Sequence, residues 1–234
     1  MQAIDLRLND NMEVIKIIPR HRNDMDKEFD FPNFPYICYE VHFDSFIGKH
    51  VHWHWHNAFH FIEVLKGNIL LRTGAGSEEI APGDVCFINN NANHCLEPID
   101  PPEECCVRAY ILYSDLICGN YDNTLATKYI QPIMNQHDLY SVRIPSQDAQ
   151  SVREHLHKAD EAHQTKEYGY EFDVRYQLSL AWIGLLQDLK FQKASIGQQD
   201  LRIRDRMRTM LNFIRTNYTR KIDLDEIAGC IREE

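Results

Sequence analysis

The chain has 234 residues, 44% of them hydrophobic and 26% charged, and a formal net charge of −10. That length supplies one or two domains with a real core, in the balance of an ordinary globular protein. No apolar run reaches a bilayer-spanning length, the N-terminus lacks a charged-then-apolar leader pattern, and the acidic total argues against nucleic acid as partner of the body of the chain.

The first expected elements are β. Pro35-Tyr-Ile-Cys-Tyr-Glu-Val-His-Phe43 is short and rich in β-branched and aromatic residues. Next comes His50-Val-His-Trp-His-Trp-His-Asn-Ala-Phe-His60. Strand alternation predicts His50, His52, His54 and His56 on one face and Val51, Trp53 and Trp55 on the other. Five histidines within this stretch mark a site. Phe61–Leu65 and Asn68–Arg72 read as strands joined by a hairpin at Gly67. Ala81-Pro-Gly-Asp84 turns into the apolar run Val85–Ile88, and Asn-Ala-Asn-His94 closes it. Pro98–Glu104 is too rich in Pro and acid for a central strand, and Cys106–Tyr113 is the last strand expected. Glu40, Arg108 and Tyr110 sit in these strands, facing either an interior or solvent. Short strands at this spacing make a sandwich or barrel.

After about residue 145 the period changes. Val152, Leu156 and Ala159 predict an amphipathic helix over 146–162 with Ser146 as a possible N-cap. A longer helix runs from Glu171 to Phe191 and carries two apolar stripes. Phe172, Tyr176, Ser179, Ile183 and Leu186 follow alternating steps of four and three, the spacing of a helix–helix seam. Val174, Leu178, Leu185 and Leu189 form the second, with Trp182 near the first. One stripe suffices to seat a helix on its own domain, so two imply a partner surface and a homodimer. Packing of both stripes within one chain is the alternative. Beyond Ala194–Gln199, a short linker, residues Asp200 to Lys221 hold seven basic side chains against two acidic ones, a change of charge that suggests a change of job. Asp223-Leu-Asp-Glu226 reads as a capping-box start for one more helix, and a helix so short at the end implies a chain cut within a module. The seven cysteines form no C-x-x-C pair and read as structural thiols; with no leader pattern, they fit the cytoplasm.

The His-x-His strand, the Pro-Gly-Asp turn and the later lone His94 resemble the small β-barrel called a cupin. Met210-Leu-Asn-Phe-Ile-Arg-Thr-Asn-Tyr-Thr-Arg-Lys-Ile-Asp-Leu-Asp-Glu-Ile-Ala228 resembles the opening of the DNA-binding domain of the AraC family of bacterial transcription regulators. Together they imply an α+β chain: a cupin-like double-stranded β-helix over 1–140, a helical linker and dimerisation segment over 141–195, and the start of a helix-turn-helix domain over 200–234. The implied function is ligand-responsive transcription regulation, with a small-molecule effector inside the barrel and DNA reached only through the complete C-terminal domain. His60 stands where many relatives carry Glu, and Glu63 should face the opposite way.

The expected pocket is metal-free, lined by His54, His56, His60, His94, Trp53 and Trp55, with no cofactor. The alternative is a transition metal (zinc, iron, nickel or copper) on His54, His56, His60 and His94, since neutral imidazoles ligate all four. The expected dimer contact is Phe172, Tyr176, Ile183 and Leu186. Nucleophile-elbow, P-loop and dinucleotide glycine patterns are missing, so no enzyme is expected. The alternative class is a metal-dependent cupin enzyme such as a dioxygenase or isomerase, against which the basic tail argues.

Overall fold

The computed structural model describes residues 34–192, except position 137, and seven single positions between Phe213 and Gly229. Nine strands come first: β1 (Tyr36–His42), β2 (Val51–His54), β3 (Phe59–Lys66), β4 (Ile69–Thr73), β5 (Gly76–Ile80), β6 (Val85–Ile88), β7 (His94–Pro98), β8 (Cys106–Leu112) and β9 (Ser141–Ile144). The short helices α1 (Ser114–Cys118) and α2 (Gln131–Met134) lie between β8 and β9, and the long α3 (Gln150–Thr165) and α4 (Tyr170–Gln192) follow. Every strand pair is antiparallel. They form a five-stranded sheet, β1-β8-β3-β6-β9, and a four-stranded one, β2-β7-β4-β5. Two facing antiparallel sheets followed by helices make the α+β, cupin-like barrel the sequence implied.

The five-stranded sheet is covered on both sides, which is why its central strands are apolar runs without alternation. Toward the barrel it presents Val41, Ile62, Val64, Cys86, Ile88 and Val107, which pack with Ile69, Leu71 and Leu96 of the other sheet. Away from it, Phe59, Phe61, Phe87, Tyr110 and Val142 pack against Leu156 of α3 and Val174, Leu178, Trp182 and Leu185 of α4. Trp182 lies 4.6 Å, centroid to centroid, from Phe59 and 5.5 Å from Phe87. Gly184 permits the α3–α4 approach, because a Cβ there would stand 2.6 Å from Val152 Cγ2. Gly67, at φ +69°, makes the β3–β4 hairpin, and a Cβ there would meet Cys105 Sγ at 2.5 Å.

Several expectations are corrected. Strands β5, β7 and β9 were not read from the sequence: Gly76-Ser-Glu-Glu-Ile80 is mostly exposed, and β9 has four residues that gain their pattern only by pairing with β6. Ser146 does not cap α3, whose N-cap position is Ala149, without a side-chain bond. Asp84 claims the Ser146 backbone instead: its Oδ1 accepts the Ser146 N–H at 2.8 Å, while Oδ2 accepts from Ala81 N–H and Arg143 Nε–H. Glu40 and Arg108 pair with each other at 2.7 Å on the outer side of β1 and β8, and Tyr110 turns toward the helices. None of the three faces the barrel interior.

The buried stripe of α4 is Val174, Leu178, Ala181, Trp182, Leu185 and Leu189, while Phe172, Tyr176 and Ile183 are exposed and Leu186 is half-buried. The arginines at 202–208 and most of the expected helix-turn-helix start lie outside the described residues. Among the single positions, Asp223 Oδ1 accepts the Glu226 backbone N–H at 3.4 Å, the contact an N-cap makes. No helix among the described residues is long and apolar enough to cross a membrane. The six described cysteines are free thiols.

Candidate functional site

Four histidines from three neighbouring pieces of chain meet inside the barrel. His54 ends β2, His56 lies in the loop after it, His60 is the second residue of β3, and His94 opens β7 directly opposite His54. Ring centroids lie 4.2 Å apart for His54–His94, 5.3 Å for His56–His94, 5.4 Å for His56–His60, 5.6 Å for His60–His94 and 5.8 Å for His54–His56. All four side chains are buried, His94 completely. The donor nitrogens of His54, His56 and His94 fall within 4.8 Å of one another.

Strand alternation does not produce this arrangement unaided. The β2–β7 register shifts between Val51 and His54, a bulge that resets which residues point inward. Val51 and His54 both face in, while His52 and Trp53 both face out. His50 and His52 therefore leave the expected histidine face and sit together outside the barrel, their rings 4.2 Å apart. Trp53 and Trp55, expected in the pocket, are 50% and 45% exposed and are not brought to the histidines. The loop before β7 is tied to this strand end by the Asn91 N–H, which donates to His56 O at 2.9 Å.

Hydrogen bonds set the tautomers. A carbonyl only accepts, so each bonded ring nitrogen must carry the proton. His54 Nδ1–H donates to His52 O at 2.8 Å, His56 Nδ1–H to Ala58 O at 3.1 Å and His94 Nδ1–H to Ala92 O at 2.8 Å. On His54 and His94 the proton therefore sits on Nδ1, and Nε2 carries the lone pair. His94 Nε2 and both nitrogens of His60 are buried without a hydrogen-bond partner. An orphaned buried polar group costs about 1–3 kcal/mol, so the tetrad is unfavourable as it stands.

Burial keeps the rings neutral. It pushes His54 down to about 4. Burial, and then the neighbouring His54, takes His56 to about 3. Burial first, and the other imidazoles next, hold His60 and His94 well below the usual histidine range.

Glu63 faces the other way, as its position on β3 required. Its Oε2 accepts from Tyr110 O–H at 3.0 Å and from His157 Nε2–H of α3 at 2.7 Å. The sequence reading found neither partner; its only signal was a charged residue inside the run Phe-Ile-Glu-Val-Leu65. A second donor group, Glu40, His42 and Cys106, lies at the barrel's edge. There Arg108 already holds Glu40, and burial pushes the Cys106 thiol up to about 11, so at neutral pH this group offers no thiolate.

A family model described as the AraC-like ligand binding domain matches residues 37–171. An uncharacterized HTH-type transcriptional regulator of Bacillus subtilis, YdeC, is 29% identical over 201 residues, covering 83% of this chain and 65% of that protein. The chain thus spans about 65% of the length of this curated relative. Among solved structures, ToxT from Vibrio cholerae is similar with a TM-score of 0.45 and 14% identity, over 85% of this chain and 72% of that one. An RmlC-like cupin from Shewanella frigidimarina is similar with a TM-score of 0.30 and 16% identity, over 35% of this chain and 69% of its own.

Proposed function

The chain belongs to the AraC-like ligand-binding domain family, and from that premise we propose that it is the sensor part of a ligand-responsive transcription regulator. The observation that carries this reading is the closed set of four buried imidazoles inside a family-typical barrel, with partnerless nitrogens on two of them. A buried polar cluster that the protein itself leaves unsatisfied is a place for a ligand. Ligand binding favours one arrangement of α3 and α4 over another, and so changes how attached DNA-binding modules sit. In this reading residues 1–140 are the sensor, with β9 completing its outer sheet, 141–195 are the helical linker, and 200–234 open a helix-turn-helix domain whose complete form reaches DNA. The protein works in the cytoplasm and is not an enzyme.

The exposed stripe of α4 supports a homodimer. Phe172, Tyr176 and Ile183 are 77%, 59% and 49% exposed on a helix whose other face is already seated. Two-fold pairing also matches the paired half-sites that helix-turn-helix proteins read. Sedimentation should give a dimer, and Ile183→Asp with Leu186→Asp should give folded monomer; a wild-type monomer at high micromolar concentration would remove the dimer from the scheme.

The regulator reading is tested by a promoter reporter driven by the complete protein that carries this chain. Its output should respond to what fills the barrel, and His60→Ala with His94→Ala should abolish the response. An undiminished response in that variant overturns the assignment. The same tetrad supports a second reading, a metal-dependent cupin enzyme, because four neutral imidazoles also suit zinc, iron, nickel or copper.

A further inference from the structure

We propose that Glu63 and His157 form a releasable latch through which a change in the barrel at His60 is passed to α3. Calling that change a signal rests on the regulator reading above; the coupling between His60 and α3 does not.

Three observations lead there. The first is that β3 carries both ends of the connection. His60 points into the barrel toward His56 and His94, and Glu63, three residues on, points out to α3. The strand is paired with β6 and β8 through this stretch, and the β3–β8 register shifts between Val64 and Lys66. A bulge interrupts the ladder, so the regular stretch from Phe59 ends one residue past Glu63 and is the piece that shifts when something enters beside His60. The second is that the contact is built to open. The Glu63 side chain is 6% exposed, and its Oε2 accepts from both Tyr110 O–H at 3.0 Å and His157 Nε2–H at 2.7 Å. His157 is 47% exposed. When His157 leaves, Tyr110 still holds the carboxylate and water takes the imidazole, so opening orphans no buried donor. The third is how α3 is held elsewhere. Arg153, one turn before His157 on the same face, donates to Gly83 O and, at 3.2 Å, to Ser146 Oγ. That pins the start of α3 to the turn before β6 and makes it a pivot.

Two positions are then open to α3: latched, with His157 on Glu63, and released, with His157 in solvent. Coupling between distant sites needs such a two-state element, biased from both ends. A change beside His60 that moves β3 toward or away from α3 alters the balance between the two positions. The change does not stop at α3, because His155 Nδ1–H donates to Gln177 Oε1 of α4 at 2.8 Å and Gly184 of α4 lets Val152 approach. Tyr110 holds Glu63 in both positions and so serves the fold, while His157 is the positioning residue of the switch.

The test uses the 234-residue chain and hydrogen exchange followed by mass spectrometry. His60→Leu is the barrel-side perturbation, and the readout is exchange in α3 relative to α4, which cancels a uniform change in stability. His60→Leu removes an orphan and steadies β3, so it should slow α3 relative to α4 by about fivefold or more, the lower end of usual coupling between sites. In a His157→Ala background that difference should vanish. His157→Gln, whose amide N–H still reaches for Glu63, should restore it. Relative slowing that persists with His157→Ala overturns the proposal, as does its absence when His60→Leu is made alone. In the complete protein, His157→Ala should lose the promoter response and His157→Gln should keep it; a response that survives His157→Ala also overturns the latch. Should the promoter respond to nothing, the regulator reading fails, and the exchange experiment still decides the coupling.

Discussion

The two faces of β3 solve the same problem in opposite ways. On the helix side, Glu63 is buried, yet its carboxylate is supplied with two donors, Tyr110 and His157. On the barrel side, two residues earlier than Ile62, His60 is equally buried and has no partner. Buried polar groups in a protein interior are ordinarily satisfied. The satisfied face is therefore architecture, tying the sheet to α3, and the unsatisfied face is the one we assign to a ligand. The contrast separates stability from function on one strand.

The largest effect that could break this comparison is acid. The tetrad's proton affinities are depressed in the fold: His54 to about 4 and His56 to about 3, with His60 and His94 also well below the ordinary value. Their unfolded-state value is near 6.5. The metal-free protein should be fully stable above that pH and lose stability as pH falls from about 6.5 toward the folded values, because the unfolded chain binds more protons. Each tenfold depression of proton affinity carries about 1.4 kcal/mol, against a whole-domain stability of about 5–15 kcal/mol, so the loss on acidification is large enough to measure. Urea titrations of the metal-free chain at pH 7.5 and pH 5 measure this, and equal midpoints would mean the rings are not buried as a neutral set.

Next in size is the helix-side packing. Trp182→Ala removes the indole from Phe59 and Phe87 and should cost about 3–5 kcal/mol by chemical denaturation. A loss below 1 kcal/mol would show that α4 is not seated there.

The sharpest pair is smaller and opposite in sign. Glu63→Leu strands the Tyr110 hydroxyl and should destabilise by about 1–3 kcal/mol. His60→Leu removes an orphan instead and should stabilise the chain by about 1–2 kcal/mol. The same sign for both substitutions would erase the distinction between the two faces. The smallest effect belongs to Trp53→Ser and Trp55→Ser, which alter exposed rings and should stay within about 0.5 kcal/mol by the same denaturation measurement.

Local pattern carried much of this in the chain itself. The runs that became β1, β3, β4, β6 and β8 were recognisable because both the period and the flanking turns lie within a few residues. Val152, Leu156 and Ala159, and the two stripes of α4, followed from helical spacing alone. The histidines that meet, His54, His56, His60 and His94, were identifiable as a set because their side-chain type is unusual at that density.

What the sequence could not contain was where the alternation breaks. Pure alternation placed His50 and His52 with His54, and a bulge opposite β7 put them outside; that register belongs to the pairing of two distant strands. Trp53 and Trp55 looked like pocket residues because aromatic rings line most pockets, but β2 is the edge of its sheet and its outer face is open. Strand β9 and the Glu63–Tyr110–His157 tie exist only after residues 94 positions apart are brought together. Periodicity is a local property, so the sequence by itself determined which segments are strands and helices and which side chains could bind a ligand. Register, burial and the pairing of polar groups are non-local, so only the tertiary structure decided which four histidines converge and that both nitrogens of His60 and Nε2 of His94 are buried without a hydrogen-bond partner.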